Sequence, residues 1–386
     1  MMIPYGHQQI SDEDIDAVIK TLKSDWLTQG PNIKEFEDAV CDEVCSKFAV
    51  SSNSATSSLH IACKALELSK GDLVWTSPNS FVASANAAIY CGAEVDFVDI
   101  DPHSYNICVK KLEQKLKNAE KNNCLPKIII PVHYAGQSCD MKEIFRLSKI
   151  YEFSIIEDAS HAIGAKYENK SIGNCKYSDI TVFSFHPVKI ITTAEGGMAT
   201  TNDKKIAEKL RQYRSHGITR DKNSFGEVDN DEIWNYQQIS LGFNYRMNDI
   251  QASLGLSQLK KVDEFVIKRH EIANFYNTKL NGMGIVLPYQ FDNTFSSFHL
   301  YPIRISIAKC GINQLRLYKH LREKDIGVNL HYIPIYRHPF FEKRGFKKGY
   351  CQEAEKHFRE VITLPIYPGL SLENQKYIVE SIKEVF

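Results

Sequence analysis

Two stretches, EDASHAIGA at 157–165 and FSFHPVKIITTAEGG at 183–197, decide how this chain is read. Between them they set Asp158 and Lys189 31 residues apart, with His161 three residues after the Asp and Ser184 five before the Lys. A carboxylate, an imidazole, a hydroxyl and an amine are the groups that a pyridoxal phosphate (PLP) site requires. The amine forms a Schiff base with the aldehyde, the carboxylate keeps the ring nitrogen protonated, and the hydroxyl binds phosphate.

The flanking sequence supplies a frame. From residue 48, strand-like and helix-like runs alternate. FAVSS precedes NSATSSLHIACKALEL, LVWTSP precedes SFVASANAAIYCG, and EVDFVDID follows. KIIIPVHYAG leads into MKEIFRLSKIYE, and FSIIEDAS, DITVFSF and GMATT come after. This alternation predicts an α/β fold with a mainly parallel sheet covered by helices. Ligands of such sheets bind at the carboxyl ends of strands, where Asp158 and Ser184 fall. Upstream, SDEDIDAVIKTLK at 11–23 predicts a helix capped by Ser11 or Asp12, with Ile15, Val18, Ile19 and Leu22 as its apolar face. WLTQGP interrupts it, and Pro31 starts a second amphipathic helix. Downstream, polar residues 218–238 are expected as a long surface loop. Residues 247–280 read as helix. SFHLYPIRIS and GVNLHYIPIY read as strands of a smaller α/β unit that ends in a helix.

The 386 residues are enough for two domains. Lys plus Arg and Asp plus Glu each number 47, so net charge points to neither nucleic acid nor membrane. No window approaches the roughly 20 apolar residues that span a bilayer. The start, MMIPYGHQQISDEDI, carries no apolar targeting run, and a cytoplasmic protein is expected. The ten Cys form no CxxC pair or ligand cluster, which argues against zinc and a disulfide framework. Cys41, Cys45, Cys63 and Cys91 read as small buried hydrophobes.

Individual residues then acquire roles. Burial of Lys189 would lower its pKa and free a neutral nucleophile that can also serve as a general base. Asp158 ends a strand, and alternation aims Glu157 the other way, so Glu157 is assigned no role. His161 and His186 each read as an interior histidine or a contact near the ring. The run SSNSATSS at 51–58 joins a strand to a helix, and Ser54, Ala55 and Thr56 can offer hydroxyls and backbone N–H groups to a phosphate. Phe81, opening a helix, is core or a face-on stack against a flat ring.

In order and spacing, LTQGPNIKEFE at 27–37, NSATSSLH at 53–60, SPNSFVASANA at 77–87, RSHG at 214–217, LGFNYRMNDIQASLGLSQL at 241–259 and VNLHYIPIY at 328–336 join the two opening stretches. Together they resemble the sugar aminotransferases of the DegT/DnrJ/EryC1/StrS family, and within it the branch that serves pseudaminic acid synthesis. The resemblance implies a fold type I PLP-dependent transferase. Its large domain would hold a seven-stranded, mainly parallel sheet and span 31–258, after an N-terminal arm and helix at 1–30 and before a small domain at 259–386. It implies Lys189 as the Schiff-base lysine, Asp158 as the partner of the pyridine nitrogen, His161 near the ring oxygen and Phe81 as the stacking ring. Ser184, Ser54, Ala55 and Thr56 would bind phosphate, joined by Asn244 from the second subunit of a homodimer with shared active sites. Leu27, Thr28, Gln29, Glu195, Gly196, His331 and Tyr332 would meet the substrate, while Arg220 and Lys222 could meet a diphosphate across subunits. The implied reaction takes the amino group of L-glutamate, by way of pyridoxamine phosphate, to C4 of a UDP-linked 4-keto-6-deoxy-N-acetyl-hexosamine. A different nucleotide-linked 4-keto sugar (GDP-perosamine, UDP-bacillosamine or dTDP-amino-sugar synthesis) and a non-catalytic regulatory protein of the same fold are the alternatives.

Overall fold

The computed structural model describes residues 2–221, 225 and 234–386. Seven strands form its main sheet: Phe48–Ser52 (β1), Leu73–Thr76 (β2), Glu94–Phe97 (β3), Ile128–Ile130 (β4), Ser154–Asp158 (β5), Ile180–Ser184 (β6) and Gly197–Thr201 (β7). Their spatial order is β1-β7-β6-β5-β4-β2-β3. Only β7 runs against its neighbours, Ser52 pairing with Gly197 on one side and Ser184 with Gly197 on the other. The sheet is thus mainly parallel, and β6 and β7 are buried along their whole length because both faces are covered.

Alternate residues of each strand enter different cores. Ala49, Ile129, Ile155 and Phe183 face one layer, packing with Phe36 and Val40 of helix α2 (Pro31–Val44). Their neighbours Val50, Ile128, Ile156 and Val182 face the other, packing with Leu59 and Ala62 of α3 (Ala55–Ala65) and Ala85 and Ala88 of α4 (Ala83–Tyr90). A third core surrounds a two-stranded antiparallel sheet, Tyr301–Arg304 (β8) with Val361–Leu364 (β9), where Tyr276, Ile303, Leu321 and Ile378 meet.

Tertiary contacts corrected five expectations. Helix α1 (Asp12–Leu22) has the Ser11 capping box, but Ile15, Ile19 and Leu22 are exposed, and Asp14 and Thr21 are its buried residues. Asp14 accepts from Ser257 Oγ at 2.6 Å and Gln258 Nε2 at 2.7 Å, so the polar side of the helix faces inward. The helical stretch 247–280 is two helices, Asp249–Leu259 and Val262–Leu280, broken at Lys260–Lys261. Lys261 Nζ reaches Asp14 Oδ1 at 3.1 Å across that corner. GVNLHYIPIY is not a strand. Its backbone disperses to several elements, with Asn329 bridging Thr363, Ile335 N–H donating to Pro78 O, and the His331 carbonyl accepting from Tyr134 OH at 2.7 Å. Pro334, lacking an N–H, could not have continued a ladder. The 218–238 segment is not wholly loop, since Ile218–Thr219 pairs with Gln237–Gln238. Lys222 lies outside the described residues. Of the four cysteines read as buried, only Cys63 is fully buried; Cys41 and Cys91 are half-buried, and Cys45, the left-handed cap of α2 (φ 58°), is exposed. No described helix is long and apolar enough to cross a membrane.

Helix Asp249–Leu259 packs closely on α2 at Gly255, where a Cβ would come within 2.7 Å of both Phe36 Cζ and Thr193 Cγ2. Gly255→Val should therefore destabilise the fold by about 1–3 kcal/mol. A urea unfolding midpoint equal to that of the parent would refute this packing.

Candidate active site

The carboxyl ends of β5 and β6, the start of α3, the start of α4 and the 329–333 segment enclose a cavity of about 860 Å³. Asp158 closes β5 and is buried. Its Oδ2 accepts from Ser84 Oγ at 2.6 Å, and its Oδ1 accepts from Ser160 Oγ at 2.6 Å and Ser160 N–H at 3.1 Å. The carboxylate is thereby aimed and kept as an acceptor without a cation bonded to it. Glu157, one residue earlier, points away and takes Ser178 Oγ, Thr181 Oγ1 and His133 Nε2, so it is a structural carboxylate of the opposite layer.

Lys189 follows the turn after β6, its N–H donating to His186 O at 2.9 Å. Burial lowers its amine to about 8, although the Asp158 charge pulls the other way. Desolvation thus wins over attraction, and the amine loses its proton near pH 8, well below an ordinary lysine. His161 is buried against Tyr332, with Nε2 3.1 Å from the Tyr332 hydroxyl and Nδ1 accepting from Ala135 N–H at 3.3 Å. That acceptor role puts the proton on Nε2. Burial, and then the charge of Lys189, hold His161 well below the usual histidine range, so it remains neutral. His331 is likewise depressed to about 3 by burial and then Lys189, and its Nδ1 lies 2.8 Å from Thr363 Oγ1.

The start of α3, which lines the same cavity, offers groups suited to an anion. Ser54 caps α3 by accepting from Ser57 N–H, and Ser58 N–H bonds to Ser54 O. The N–H groups of Ala55 and Thr56 come before the first intrahelical bond and point outward with the positive end of the helix dipole. Ser184 lines the same space. Gly197 makes the junction possible, because a Cβ there would sit 2.5 Å from Ser54 O and 2.6 Å from Ala55 N. A neutral amine, a buried carboxylate without a cation bonded to it, and free helix N–H groups suit an aldehyde, a basic ring nitrogen and a phosphate. The donor chemistry therefore fits PLP.

The cavity wall holds Ser54, Ala55, Thr56, Phe81, Asp158, His161, Ser184, Lys189, Glu195, His331 and Tyr332 together. Phe81 is 62% exposed at its mouth. Gly196 is buried and is not among the residues that line the cavity; its carbonyl accepts from Phe185 N–H. The structure does not bring Leu27, Thr28, Gln29 or Asn244 to this cavity. All four are exposed, and Leu27 and Gln29 are tied to the 247–249 segment through Leu27 O to Asp249 N–H and Gln29 Nε2 to Met247 O. Arg220 is also exposed. Sequence reasoning missed Ser84 and Ser160, which aim Asp158, and Tyr5, Asn329 and His338, which line the cavity. Ser160 stood two residues from Asp158 and was findable. Tyr5 was not, since its place depends on Ile3 pairing beside Ile326 and on Ile366 N–H donating to Tyr5 O.

The family model of the DegT/DnrJ/EryC1/StrS aminotransferases matches residues 8–383. The UDP-4-amino-4,6-dideoxy-N-acetyl-beta-L-altrosamine transaminase of Campylobacter jejuni is 38% identical over 382 residues, 99% of this chain and 96% of that one. The solved structure of Helicobacter pylori PseC, an aminotransferase involved in the biosynthesis of pseudoaminic acid, has a TM-score of 0.89 at 34% identity, covering 100% of this chain and 99% of the other. A Streptococcus pneumoniae protein solved in PLP and PMP forms has a TM-score of 0.88 at 29% identity in both, covering 100% of this chain and 98% of that one.

Two outcomes are expected. Borohydride reduction of the enzyme loaded with PLP should add the cofactor's mass to the parent and not to Lys189→Ala. Since the free amine loses its proton near pH 8, the rate of covalent loading of the apoprotein should climb from pH 6 to 9 and level off above that. A rate independent of pH over this range would contradict the lowered amine.

Proposed function

Because the chain belongs to the DegT/DnrJ/EryC1/StrS aminotransferase family, we propose that it transfers the amino group of L-glutamate to C4 of a UDP-4-keto-6-deoxy-N-acetyl-hexosamine, UDP-2-acetamido-2,6-dideoxy-beta-L-arabino-hexos-4-ulose, in pseudaminic acid synthesis. It is a PLP-dependent sugar aminotransferase acting on nucleotide sugars, with a fold type I architecture. The finer choice of sugar is supported by the full-length similarity to the altrosamine transaminase and to PseC. The observation that carries the chemistry is the lowered amine of Lys189 sharing one cavity with the buried, cation-free Asp158.

Bound PLP supplies an electron sink and a carrier for the amino group between the two substrates. In our reading Lys189 would hold the cofactor's aldehyde carbon, and its amine, when free, would move a proton at the carbon that bears the nitrogen. Its lowered pKa gives it a larger neutral fraction, the form that accepts a proton, than an ordinary lysine has. Asp158, steadied by Ser84 and Ser160, holds the positive charge on the ring nitrogen. His161 would offer a neutral N–H toward the ring oxygen, and Phe81 would cover the ring face. Ser184 and the N–H groups of Ala55 and Thr56, with Ser54 capping their helix, hold the phosphate. Glu195, Gly196, His331 and Tyr332 meet the sugar nucleotide.

A homodimer completes this reading. Leu27, Thr28, Gln29 and Asn244 lie away from their own chain's cavity, which suits residues that serve a second copy. Exposed Ile15, Leu22, Trp26 (58%) and Leu241 (77%) give that second copy apolar surface to cover.

The test is to incubate the enzyme with glutamate and each of several nucleotide-linked 4-keto sugars and identify products by mass spectrometry and NMR. Amination of the UDP-linked N-acetyl sugar is expected to exceed that of GDP- and dTDP-linked sugars by at least about a hundredfold in kcat/KM, a difference of roughly 2.7 kcal/mol in transition-state binding. Equal or better turnover of another sugar would reassign the substrate and leave the amine-transfer chemistry standing.

A further inference from the structure

The cavity wall that carries His331 and Tyr332 is held from behind by three buried polar side chains that do not line the cavity themselves. Two donors converge on the His331 carbonyl, Tyr134 OH at 2.7 Å and His357 Nε2 at 3.2 Å. At the other end of the same peptide unit, Tyr332 N–H donates to Asn79 Oδ1 at 3.2 Å. These anchors are fixed in turn. Tyr134 N–H donates to Asn106 Oδ1 at 2.8 Å, Asn79 Nδ2 donates to Tyr105 O at 3.3 Å, and the Tyr105 and His357 rings lie 4.3 Å apart. Burial lowers His357 to about 3, so the ring is neutral, and a carbonyl facing Nε2 requires its one proton there. Beyond this peptide both side chains reach the cavity, with His331 Nδ1 2.8 Å from Thr363 Oγ1 and the Tyr332 hydroxyl 3.1 Å from His161 Nε2. Asn79 also belongs to the loop between β2 and α4 that carries Phe81, and Pro78 O in that loop accepts from Ile335 N–H at 3.0 Å. The same few bonds join the Phe81 loop to the wall of His331 and Tyr332.

We propose that Tyr134 and Asn79 are positioning residues for the sugar-nucleotide half of the reaction, acting through the peptide between His331 and Tyr332. This rests on the reading that those two side chains meet the sugar nucleotide. A peptide unit bonded at both its C=O and its N–H cannot turn without breaking a buried hydrogen bond. The His331 ring and the Tyr332 hydroxyl are therefore presented in one arrangement before the substrate arrives, and no ordering is left for binding to accomplish. Removing an anchor leaves a buried backbone group short of a partner and frees the unit to turn, so the sugar must reorder the wall as it binds. The His331 carbonyl keeps His357 when Tyr134 is changed, whereas the Tyr332 N–H loses Asn79, so the second change has the larger effect. Asp158 takes its place from β5 and Lys189 from the turn after β6, and the glutamate half of the reaction does not depend on these anchors.

Stopped-flow absorbance of the bound cofactor separates the two halves of the reaction. Glutamate is mixed with the enzyme in its PLP form, and the nucleotide-linked 4-keto sugar that the parent aminates best is mixed with the pyridoxamine phosphate form. Tyr134→Phe, which keeps the ring, should raise the sugar concentration giving half-maximal rate by about fivefold, and Asn79→Ala by about tenfold or more. In Tyr134→Phe the rate with glutamate and the dissociation constant for PLP should stay within about twofold of the parent. An unchanged sugar dependence in Tyr134→Phe would overturn the proposal. So would a reaction with glutamate slowed as much as that with the sugar, which is the result of a general loss of packing. Tyr134→Phe decides the outcome even where Asn79→Ala fails to fold or to hold PLP. A parent that aminates none of the sugars removes the reading that His331 and Tyr332 meet a sugar nucleotide, and the proposal with it. An unaffected variant beside an active parent overturns the positioning role alone.

Discussion

The desolvation of one amine organises this molecule. Lys189 lies at the floor of a cavity where burial outweighs the attraction of Asp158, so its proton is lost near pH 8. Moving the carboxylate into bonding contact would pair the two charges and restore the proton. The structure avoids this by occupying both oxygens of Asp158 with Ser84 and Ser160. A buried carboxylate bonded only to neutral donors still requires a positive partner, and a protonated ring nitrogen supplies one. The cofactor chemistry and the unpaired charges are therefore two sides of one arrangement.

The sheet makes that arrangement inexpensive to maintain. Parallel strands deliver Asp158 and Ser184 to one edge, and α3 begins at the same level with free N–H groups. The antiparallel β7 returns through this edge, and Gly197 lets it pass beneath the helix end without a Cβ in the way. The histidines nearby are neutral because the same low-polarity surroundings that deprotonate Lys189 also disfavour imidazolium. They can donate and accept hydrogen bonds without adding charge to the cavity.

The irregular 327–336 segment illustrates how backbone demand sets shape. Had it paired as a strand, His331 and Tyr332 would have been committed to alternating faces of the small sheet. Instead the backbone groups are satisfied by Tyr134, Thr363 and Pro78, and both side chains line the cavity. The N-terminal strap joins the same wall. Ile3 O accepts from Gly327 N–H at a distance too close for any Cβ at 327, and Tyr5 comes to the cavity as a result.

Local sequence determined a good deal. The alternation of runs specified the α/β sheet. The positions of Asp158, Lys189 and Ser184 after apolar runs, and the Ser-rich start of α3, marked residues that meet in one cavity, because each depends on neighbours a few residues away. What sequence periodicity could not determine is what covers a face. Ile15, Ile19 and Leu22 have helical spacing, yet the buried side of α1 is polar because Ser257, Gln258 and Lys261, more than 240 residues away, meet Asp14. Ser84 and Tyr5 likewise reach the cavity or its carboxylate only once distant helices and strands pack. The cause is the same in each case. A short-range pattern records which groups prefer burial or a cap, while hydrogen-bond satisfaction and desolvation are settled by whichever groups the folded chain finally sets beside them.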